Sequence, residues 1–404
     1  MAGMTPSERA YDVVLFGATG FTGGLTADYL AAHAPNGLRW AIAGRAPGKL
    51  EAVRTRLAER DRALADLPLL VADVGDEESL REVVEQARVV ITTVGPYMEH
   101  GEPLVAACAS AGTDYVDLTG EPEFVDRMYV EHHGAAEASG ARIVHAAGFD
   151  SVPHDLGAYF TVQELAGEVG GEITTPVRMR GVVRAGAGFS GGTFHSALNA
   201  FARPRQMREA SQARRQVEPK PDGRRSRAVA GKPTRDKELG YWLLPMPTID
   251  PFVVARSGAA LPVYGPDFRY SHFAGTKTLR YAAGGSAGLG LLVAASQVGP
   301  LREQLKKRVP QGSGPSERRR EKSWFTVDFV ASTEVEDRSV EVRTRVSGGD
   351  PGYTETAKML AEAALCLALD DNPATAGQVT TAQAMGDAYL ARLQKAGIRF
   401  ERVS

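Results

Sequence analysis

The sequence contains very little cysteine: Cys108 and Cys366 are the only two among its 404 residues. Two cysteines, each within an apolar, helix-like pattern, do not provide the disulfide framework of a small secreted fold. The first twelve residues, MAGMTPSERAYD, also lack the apolar core of a secretory signal peptide. These absences predict a cytoplasmic protein.

Several catalytic and metal-binding motifs are missing as well. The chain has no His-Glu-x-x-His and no Cys-x-x-Cys, which are common metal-site patterns. No tyrosine is followed by lysine four residues later, so the catalytic pair of short-chain dehydrogenases is absent. The sequence therefore predicts no metal centre and argues against that class of dehydrogenase.

The remaining composition is that of a folded protein with more than one core. Apolar residues make up 43% of the chain and charged residues 24%, both typical of globular proteins. Because a chain of 404 residues is long for a single hydrophobic core, we expect two domains.

A glycine-rich turn near the start gives the first functional signal. Tyr11–Phe16 is a short apolar run that predicts a buried strand, and Phe21–His33 has apolar spacing typical of a helix. Between them, Gly17, Gly20 and Gly23 are three residues apart. In a dinucleotide-binding turn, such glycines allow a tight turn, close approach of a pyrophosphate, and packing of helix on strand. The context therefore predicts a nucleotide site rather than a plain strand–helix connection.

The next strand indicates which nucleotide. Trp40–Arg45 lies where NAD-specific domains usually carry an Asp or Glu for the ribose 2′-hydroxyl. Here the strand ends in Gly44 and Arg45, and Lys49 follows about one helical turn later. Cations at this position suit the 2′-phosphate of NADP, because a guanidinium can donate two hydrogen bonds to a phosphate.

The alternation of strands and helices continues to about residue 150. Further strands are predicted at Leu69–Asp73, Val89–Thr93, Asp114–Asp117 and Arg142–Ala146. Ligands of open α/β sheets bind outside the carboxyl ends of the strands, so we expect Asp73 near the adenine and Gly95–Tyr97 near the nicotinamide. The predicted cofactor-binding residues are Gly17, Thr19, Gly20, Phe21, Thr22, Gly23, Arg45, Lys49, Asp73, Val94, Gly95 and Pro96.

A series of short motifs in a fixed order then suggests a family. GATGFTG, AGR, VGPY, TDYVDLTGE and GFDSVPHDLG are followed by SGGT at residues 190–193 and by GDPGYTETAKMLAEAALCLA and TTAQAMGDAYLARLQKAGIRFE. Together they resemble the saccharopine dehydrogenase-like oxidoreductases, and within them the bacterial branch that includes trans-acting enoyl reductases of lipid and polyketide synthesis. The resemblance covers nearly the whole chain apart from two basic runs.

The resemblance implies an α/β fold with an N-terminal NADP-binding Rossmann domain. Residues 1–150 would form this domain, and C-terminal helices in 351–404 would pack back onto it. Residues 151–350 would form an inserted, mixed but mostly antiparallel α+β domain for substrate binding and dimerisation. Strand-like alternation at Val177–Val183 and within Phe325–Val346 agrees with the second domain, and the Gly- and Ser-rich segment 186–193 is expected to approach a ligand.

Candidate catalytic residues are fewer than cofactor-binding ones. Tyr97, Ser151 and His154 are the candidates for stabilising or protonating a substrate, with His195 a weaker one. His154 stands beside Asp150 and Ser151 at the expected domain junction, although a histidine there is also suited to a purely structural role at a helix start. Tyr97 is expected to donate a hydrogen bond at the nicotinamide face.

Two basic runs stand out against a chain whose formal net charge is −2. Residues 203–238 contain twelve Lys or Arg and five Asp or Glu, and residues 302–322 contain eight and three, giving net charges of +7 and +5. Such runs are usually solvated, mobile loops. Alternatively, they would attract an acidic acyl carrier protein, the phosphates of coenzyme A or a membrane surface. Nucleic acid is not expected, because aromatic residues do not interleave the charges.

One stretch, residues 281–301, carries no charge over 21 residues. Its length would span a bilayer, but it contains many glycines and few large apolar side chains. Gly284 and Gly288 form a GxxxG pattern that permits close helix packing. A buried or subunit-interface helix is the first expectation, a membrane-surface helix the second and a spanning helix the third. A homodimer is expected.

These observations lead to an NADPH-dependent reductase of an α,β-unsaturated acyl thioester bound to a carrier protein or coenzyme A. A saccharopine-type reduction of an imine is the first alternative, and it predicts arginines in the cleft that bind substrate carboxylates. A non-catalytic NADP-binding, lipid-associated scaffold is the second, supported by the lack of an unmistakable acid–base pair.

Overall fold

The computed structural model describes residues 9–186, 191–308 and 314–403. Residues 187–190 of the glycine-rich segment predicted to approach a ligand, and residues 309–313 of the second basic run, lie outside this part. The elements of the first half are, in chain order, β1 (Tyr11–Phe16), α1 (Phe21–His33), β2 (Trp40–Gly44), α2 (Pro47–Ala58), β3 (Leu69–Val71), α3 (Glu77–Gln86), β4 (Ala87–Thr92), α4 (Tyr97–His100), α5 (Glu102–Ala111), β5 (Asp114–Val116), α6 (Pro122–Ser139) and β6 (Arg142–Val144).

The second half contains α7 (Val152–Glu168), β7 (Val177–Ala185), α8 (Gly191–Ala202), α9 (Pro204–Val217), β8 (Arg225–Ala228), β9 (Thr234–Arg235), β10 (Trp242–Pro245), α10 (Asp250–Ala260), β11 (Asp267–Thr276), α11 (Leu279–Ser296), α12 (Gly299–Arg308), α13 (Glu317–Arg320), β12 (Phe325–Val335), β13 (Arg338–Gly348), α14 (Thr354–Leu369), β14 (Gly377–Val379), α15 (Thr381–Lys395) and β15 (Arg399–Arg402). Short 3₁₀ turns lie at Arg62–Asp66 and Pro262–Tyr264.

The first sheet is parallel and has the strand order β14-β6-β5-β4-β1-β2-β3. The chain proceeds outward from β1 through β2 and β3, then returns to the other side of β1 at β4. The reversal point therefore lies between β1 and β4, where open α/β sheets bind their ligands. The interiors of β1 and β2 are fully buried, as expected for central strands covered by helices on both faces.

Local sequence signals explain where helices of the first half begin and which of their residues are buried, as α3 illustrates. The Asp76 carboxylate accepts hydrogen bonds from the backbone N–H groups of Glu78 and Ser79 and so caps the start of α3. The apolar residues of α3 recur three and four positions apart, so Leu80, Val83 and Val84 share one face of the helix and lie in the core. The Rossmann-type α/β arrangement predicted from the sequence is confirmed.

The second sheet is mixed, in the order β15-β13-β12-β7-β11-β10-β9, with β8 also paired to β11. The β7–β11 and β8–β11 pairs are parallel and the others are antiparallel. The long β12–β13 hairpin turns at Glu336 and Asp337, both at positive φ. The second sheet agrees with the predicted mixed, mostly antiparallel character.

The C-terminal segment joins both sheets. α14 packs against α1 and β4 on the first sheet, and β14 adds a seventh strand beside β6. β15 pairs with β13 at the edge of the second sheet. The sequence interpretation found six strands of the first sheet and missed β14, because its three residues, Gly-Gln-Val, carry no strand pattern by themselves.

The expectation of a loop is wrong for much of the first basic run. Residues 204–217 form helix α9, which packs against α6, and β8 and β9 follow. Arg214 is buried and pairs with Asp126, while Arg203 forms two hydrogen bonds with the Glu123 carboxylate at 2.7 and 2.8 Å. Part of the positive charge is therefore neutralised by acids of the first half.

For the uncharged stretch, the structure contradicts the expectation of a buried helix, while the expectation of a subunit-interface helix stays a prediction. It forms most of α11, and most of its described side chains are exposed rather than buried. Among the described residues, no single helix is long and apolar enough to cross a membrane. The bent pair α11–α12 passes that test only when taken together, by length and composition.

Candidate active site

The three glycines after β1 have separate structural roles. Gly17 has φ +92°, and a Cβ placed on it would lie 2.8 Å from both Thr93 Oγ1 and Val94 Cγ2. A Cβ on Gly23 would lie 2.2 Å from the Gly17 carbonyl oxygen, so this glycine lets α1 pack against the turn. At Gly20 the nearest atom would be 3.5 Å away, again the Gly17 oxygen. Gly20 therefore adjoins open space at the start of α1, where backbone N–H groups can bind phosphate.

The residues beside Gly20 are also placed at this helix start. Thr19 is exposed, and the Thr22 carbonyl accepts a hydrogen bond from the Thr26 hydroxyl inside α1. The Phe21 ring packs edge-on against Tyr353 with centroids 4.9 Å apart. Arg320 lies over the same ring, with its guanidinium carbon 5.7 Å from the centroid. The end of the second basic run therefore lies against the glycine turn.

The other predicted cofactor residues follow β2, β3 and β4. Arg45 and Lys49 are exposed just beyond β2. Asp73 follows β3, and its Oδ1 accepts a hydrogen bond from Gly75 N at 2.9 Å, which shapes the turn there. Val94, Gly95 and Pro96 continue from β4, and Val94 contacts the glycine turn as described above. These segments share one edge of the sheet.

We predict that Arg45→Asp will lower the affinity for NADPH by at least about tenfold, since a hydrogen bond to a charged group contributes about 1.5–3 kcal/mol. NADH affinity should stay the same or improve, because the new carboxylate suits a free ribose 2′-hydroxyl. Fluorescence titration with both cofactors measures the ratio. Arg338→Asp, an exposed arginine in the second sheet, is the matched charge control. Equal losses for the two cofactors would contradict a 2′-phosphate contact.

Three consecutive loops lie at the same edge, on the side where the nicotinamide is predicted to bind. They follow β4, β5 and β6 and comprise residues 93–96, 117–121 and 145–151. The Glu121 carboxylate accepts hydrogen bonds from the backbone N–H groups of Tyr97 and Met98, at 3.2 and 3.0 Å. Its Oε1 also accepts a bond from the Ser196 hydroxyl of α8 at 3.0 Å. Glu121 thus ties the loop after β5 to the start of α4 and to α8.

A second buried carboxylate joins the loops after β5 and β6. Asp117 is fully buried, and its Oδ1 accepts hydrogen bonds from Thr119 N and Ala146 N at 3.0 and 2.9 Å. Its Oδ2 accepts a bond from the Tyr115 hydroxyl at 2.9 Å and lies 2.7 Å from His145 Nδ1. These contacts fix the positions of the two loops.

Tyr97 does not present its hydroxyl to the cleft. The side chain is buried, and the hydroxyl donates to the Thr92 carbonyl oxygen at 3.0 Å while accepting a bond from Leu118 N at 3.4 Å. Burial, and then the charge of Asp117, raises the pKa of Tyr97 well above its ordinary value. The hydroxyl therefore stays protonated, and its one proton is used within the protein.

Asp150 is the partly exposed acid of these three loops. It lies in the loop after β6 and is partly exposed, unlike the buried Ser151 that follows it. A Cβ placed on Gly120 would lie 3.5 Å from Asp150 Oδ2, so the carboxyl borders the loop after β5. Burial, and then the negative charge of Asp250, raises the pKa of Asp150 to about 7, although His154 acts in the opposite direction. Asp150 can therefore hold and release a proton near neutral pH.

Ser151 and His154 lie deeper than Asp150. The Ser151 hydroxyl is buried and has no hydrogen-bond partner among the described residues. His154 is buried, with Nδ1 3.1 Å from Asp250 Oδ1, and its ring meets that of Phe149 edge-on. On the far side of the same carboxylate, His272 Nε2 lies 3.5 Å from Asp250 Oδ2. The Tyr270 hydroxyl lies 3.1 Å from His272 Nδ1.

The charges in this cluster balance each other. Burial by itself lowers the pKa of His154, but Asp250 outweighs burial and leaves that pKa raised. Burial would raise the pKa of Asp250, yet His154 holds it well below its usual range. Burial lowers the pKa of His272 to about 3, so this imidazole is neutral. Asp250 therefore favours the protonated form of His154, and this pair of opposite charges lies beside Asp150.

Within the described residues, two groups of side chains have the residue types and spacing that a cation would need. The ligand atoms of His154, Asp250 and His272 all lie within 4.8 Å of one another, as do those of Glu102, Glu131 and His132. In the first group, Asp250 is already paired with His154. The second lies on the surface, where such acidic groups are common.

Asp155, the other acid of the GFDSVPHDLG motif, has a structural role. Its Oδ1 accepts a hydrogen bond from the Ser257 hydroxyl at 2.5 Å. Its Oδ2 accepts bonds from the Thr381 hydroxyl and Ala382 N at 2.6 and 2.9 Å. The fully buried carboxylate thereby joins α7, α10 and α15, and it is not exposed to the cleft.

The sequence interpretation missed three members of this site. Asp150 was considered only as a neighbour of His154, although its place directly after a strand of the first sheet was the available signal. Asp250 and His272 come from α10 and β11, about a hundred residues further along the chain. No local pattern connects them to His154, and only the packing of α7, α10 and β11 brings them together.

Comparison with known proteins agrees with this geometry. The saccharopine dehydrogenase NADP binding domain family matches residues 13–144, which contain the glycine turn, Arg45 and the loop after β4. A trans-acting enoyl reductase of Mycobacterium ulcerans is 35% identical over 422 residues, covering 98% of each chain. A Mycobacterium tuberculosis protein, which is named a trans-acting enoyl reductase only provisionally, is 39% identical over 425 residues, covering 98% of this chain and 99% of the other.

A solved structure resembles the whole fold. Saccharopine dehydrogenase (L-Glu forming) from Saccharomyces cerevisiae superposes with a TM-score of 0.59 at 13% identity, covering 97% of this chain and 99% of that one. With its parallel sheet and nucleotide turn, the chain is an NADP-dependent oxidoreductase. It belongs to the saccharopine dehydrogenase-like family, in the branch of the trans-acting enoyl reductases. The predicted family and cofactor are both confirmed.

Proposed function

We propose that the protein is an NADPH-dependent enoyl reductase that acts in trans on acyl chains held as thioesters, on a carrier protein or on coenzyme A, in lipid or polyketide synthesis. The observation that carries the proposal is the identity of 35–39% to proteins named trans-acting enoyl reductases over 98% of this chain. Both sheets, the nucleotide turn and the junction between them fall within that similarity.

The reaction requires a hydride and a proton at adjacent carbons. The dihydronicotinamide supplies the hydride to the β-carbon when bound. The electron pair of the carbon–carbon double bond then moves toward the thioester carbonyl, giving an enolate. Return of that pair to form a bond between the α-carbon and a proton completes the saturated thioester. The protein must therefore provide a proton donor and a hydrogen bond to the enolate oxygen.

We assign the proton donor to Asp150. It is the partly exposed acid of the loop after β6, it borders the loop after β5, and its pKa of about 7 leaves much of it protonated at neutral pH. The buried Ser151 hydroxyl, which has no partner among the described residues, is the proposed donor to the enolate oxygen. His154 acts through Asp150, because it is buried behind it and paired with Asp250. Tyr97 is left with a positioning role.

The cleft loops favour a neutral acyl substrate over a saccharopine-type imine. Reduction of such an imine requires binding of several substrate carboxylates, for which arginine and lysine are the usual partners. The loops of residues 93–96, 117–121 and 145–151 contain neither residue type. The partly buried ring of Phe149 adds apolar surface to the last loop.

Single-turnover oxidation of bound NADPH tests the reaction. We expect α,β-unsaturated thioesters to discharge the dihydronicotinamide absorbance in one phase, and mass spectrometry to show a saturated product two hydrogens heavier. A saturated thioester of equal length is the negative control, and a 2-oxo acid with an amine donor tests imine reduction. Turnover of the imine mixture alone would replace the proposal with the saccharopine-type reaction. Cofactor binding without oxidation by any of these substrates would favour a non-catalytic scaffold.

A further inference from the structure

Helix α11 is apolar and lies on the outside of the protein. From Tyr281 to Ser296 it carries no charged residue. Tyr281 is 74% exposed, Leu291 71% and Leu279 56%. Among the described side chains of this helix, Ala282 and Ser296 are the buried ones. A helix that is apolar on nearly all sides normally lies inside a protein or in lipid.

The exposed apolar side chains of the protein are concentrated here. In the described part of the chain, twelve large hydrophobic side chains are exposed, and five belong to residues 279–301: Leu279, Tyr281, Leu291, Val298 and Leu301. Single exposed hydrophobic residues are common, but such a concentration within one outer segment indicates a surface that another body covers. We call residues 279–301 the apolar ridge.

Basic side chains flank the apolar ridge at both ends. Lys277 and Arg280 stand at its start, and Arg302, Lys306, Lys307 and Arg308 follow in α12. The one acid in 277–308 is Glu303, which lies 3.4 Å from Lys306 and 3.9 Å from Arg302. Lys307 and Arg308 are exposed and have no ion pair within the described residues. The segment 277–308 thus has six basic residues and one acidic residue, a net charge of +5.

We propose that the apolar ridge and its basic flanks bind an anionic lipid surface, with α11 lying in the plane of the interface. Attachment of a helix to a lipid surface strengthens with the apolar area that it buries and with the attraction of nearby Lys and Arg to anionic headgroups, and this segment offers both. The 117° bend between α11 and α12 turns the basic helix away from the line of α11. This arrangement suits a helix that lies on a membrane with its basic neighbours among the headgroups.

A lipid surface fits these charges better than a second copy of the chain. A twofold interface centred on the ridge would bring two sets of basic residues with the same sign together, which opposes association. Anionic headgroups instead attract them. This inference concerns attachment and does not depend on which reaction the active site performs.

The ridge is connected to the active-site loops through α8. Helix α8 packs against α11, and Gln297, just beyond α11, donates a hydrogen bond to the Phe201 carbonyl of α8. His195 Nε2 lies 3.2 Å from the Lys306 carbonyl oxygen, which joins α8 to α12. On its other side, Ser196 of α8 bonds Glu121 in the loop after β5. A membrane-bound ridge would therefore place the lipid surface one helix away from the proposed site of an acyl substrate.

Vesicle co-flotation of the full-length protein tests the proposal. We expect binding to vesicles of phosphatidylcholine with phosphatidylglycerol, and at least tenfold weaker binding to phosphatidylcholine alone. Tyr281→Ser with Leu291→Ser should lower binding to the anionic vesicles by at least tenfold. Lys307→Glu with Arg308→Glu should do the same at low salt and show little salt dependence. Val217→Ser, at a similarly exposed valine on α9, and Arg338→Glu are the matched controls and should bind like the parent.

Circular dichroism and bound-NADPH titration confirm that each variant is folded and keeps its cofactor site. Sedimentation without lipid is the second measurement. A parent protein that ignores anionic vesicles, or double variants that bind them as well as the parent, would overturn the proposal. So would a stable dimer that dissociates in the Tyr281/Leu291 variant while no form binds vesicles, since the ridge would then be covered by a second copy.

Discussion

Gly20→Val is expected to abolish NADPH binding while leaving the protein folded. The side chain would enter the open space at the start of α1, because a Cβ at Gly20 meets only the Gly17 oxygen, at 3.5 Å. That space is where the pyrophosphate must approach the backbone. Calorimetry should show no heat of NADPH binding at concentrations that saturate the parent, and thermal unfolding without cofactor should change little.

Gly23→Ala is the matched control and should behave in the opposite way. Its Cβ would lie 2.2 Å from the Gly17 carbonyl oxygen and 2.7 Å from Thr93 Oγ1, so the turn must shift to accept it. Unfolding temperature should therefore fall even without cofactor. If Gly20→Val binds NADPH normally, or fails only because it unfolds like Gly23→Ala, the pyrophosphate does not lie against Gly20.

The sequence predicts the glycine motif, but it does not predict the separate role of each glycine. The order strand, glycine, helix is a local signal, and local patterns of this kind correctly predicted α1 and the six strands β1 to β6 to within a few residues. Spacing alone placed all three glycines in one nucleotide motif. Only the packed structure separates Gly17 and Gly23, which touch protein, from Gly20, which adjoins open space.

Features that depend on distant partners were not predictable from local pattern. β14 is a strand because β6 offers it a free edge, and its own three residues would not indicate one. Helix α9 was expected to be a loop because its composition is strongly basic, yet Arg203 and Arg214 find acids on α6. Opposite charges from another element therefore stabilise a segment whose composition by itself is typical of solvated chain.

The cluster of His154, Asp250 and His272 likewise depends on residues that are distant in the sequence. His154 could be selected from its motif, but its protonation depends on Asp250 of α10, and His272 of β11 completes the group. The pKa of Asp150 is raised first by burial and second by Asp250, which no neighbouring residue in the sequence supplies. The raised pKa of Asp150 is thus a product of tertiary packing.

Asp150→Asn should lower the rate of the single-turnover reaction by about 10²–10⁴-fold, the usual contribution of a general acid. NADPH affinity should remain within about twofold of the parent, since the predicted phosphate contacts lie elsewhere, at the start of helix α1 and at Arg45. In the parent, the rate should fall about tenfold for each pH unit above about 7, where the carboxyl loses its proton. A parent rate that stays constant from pH 6 to about 9 would contradict the assignment.

Asp150→Asn should slow the reaction, yet it should raise the free energy of unfolding relative to the parent as pH rises. The fold raises the pKa of Asp150 from 3.8 to about 7, so the native state binds its proton more tightly than the unfolded chain does. The resulting stability is complete below the unfolded pKa and is lost as pH rises toward 7. Asp150→Asn lacks this loss, so its unfolding free energy relative to the parent should increase between pH 5 and pH 8, by on the order of 2–4 kcal/mol.

Asp155→Asn is the contrasting control: it breaks buried hydrogen bonds to Ser257, Thr381 and Ala382 and should destabilise the protein at both pH values. An Asp150→Asn protein that is slower but also less stable at pH 8 would show that the carboxylate supports the structure rather than donating the proton.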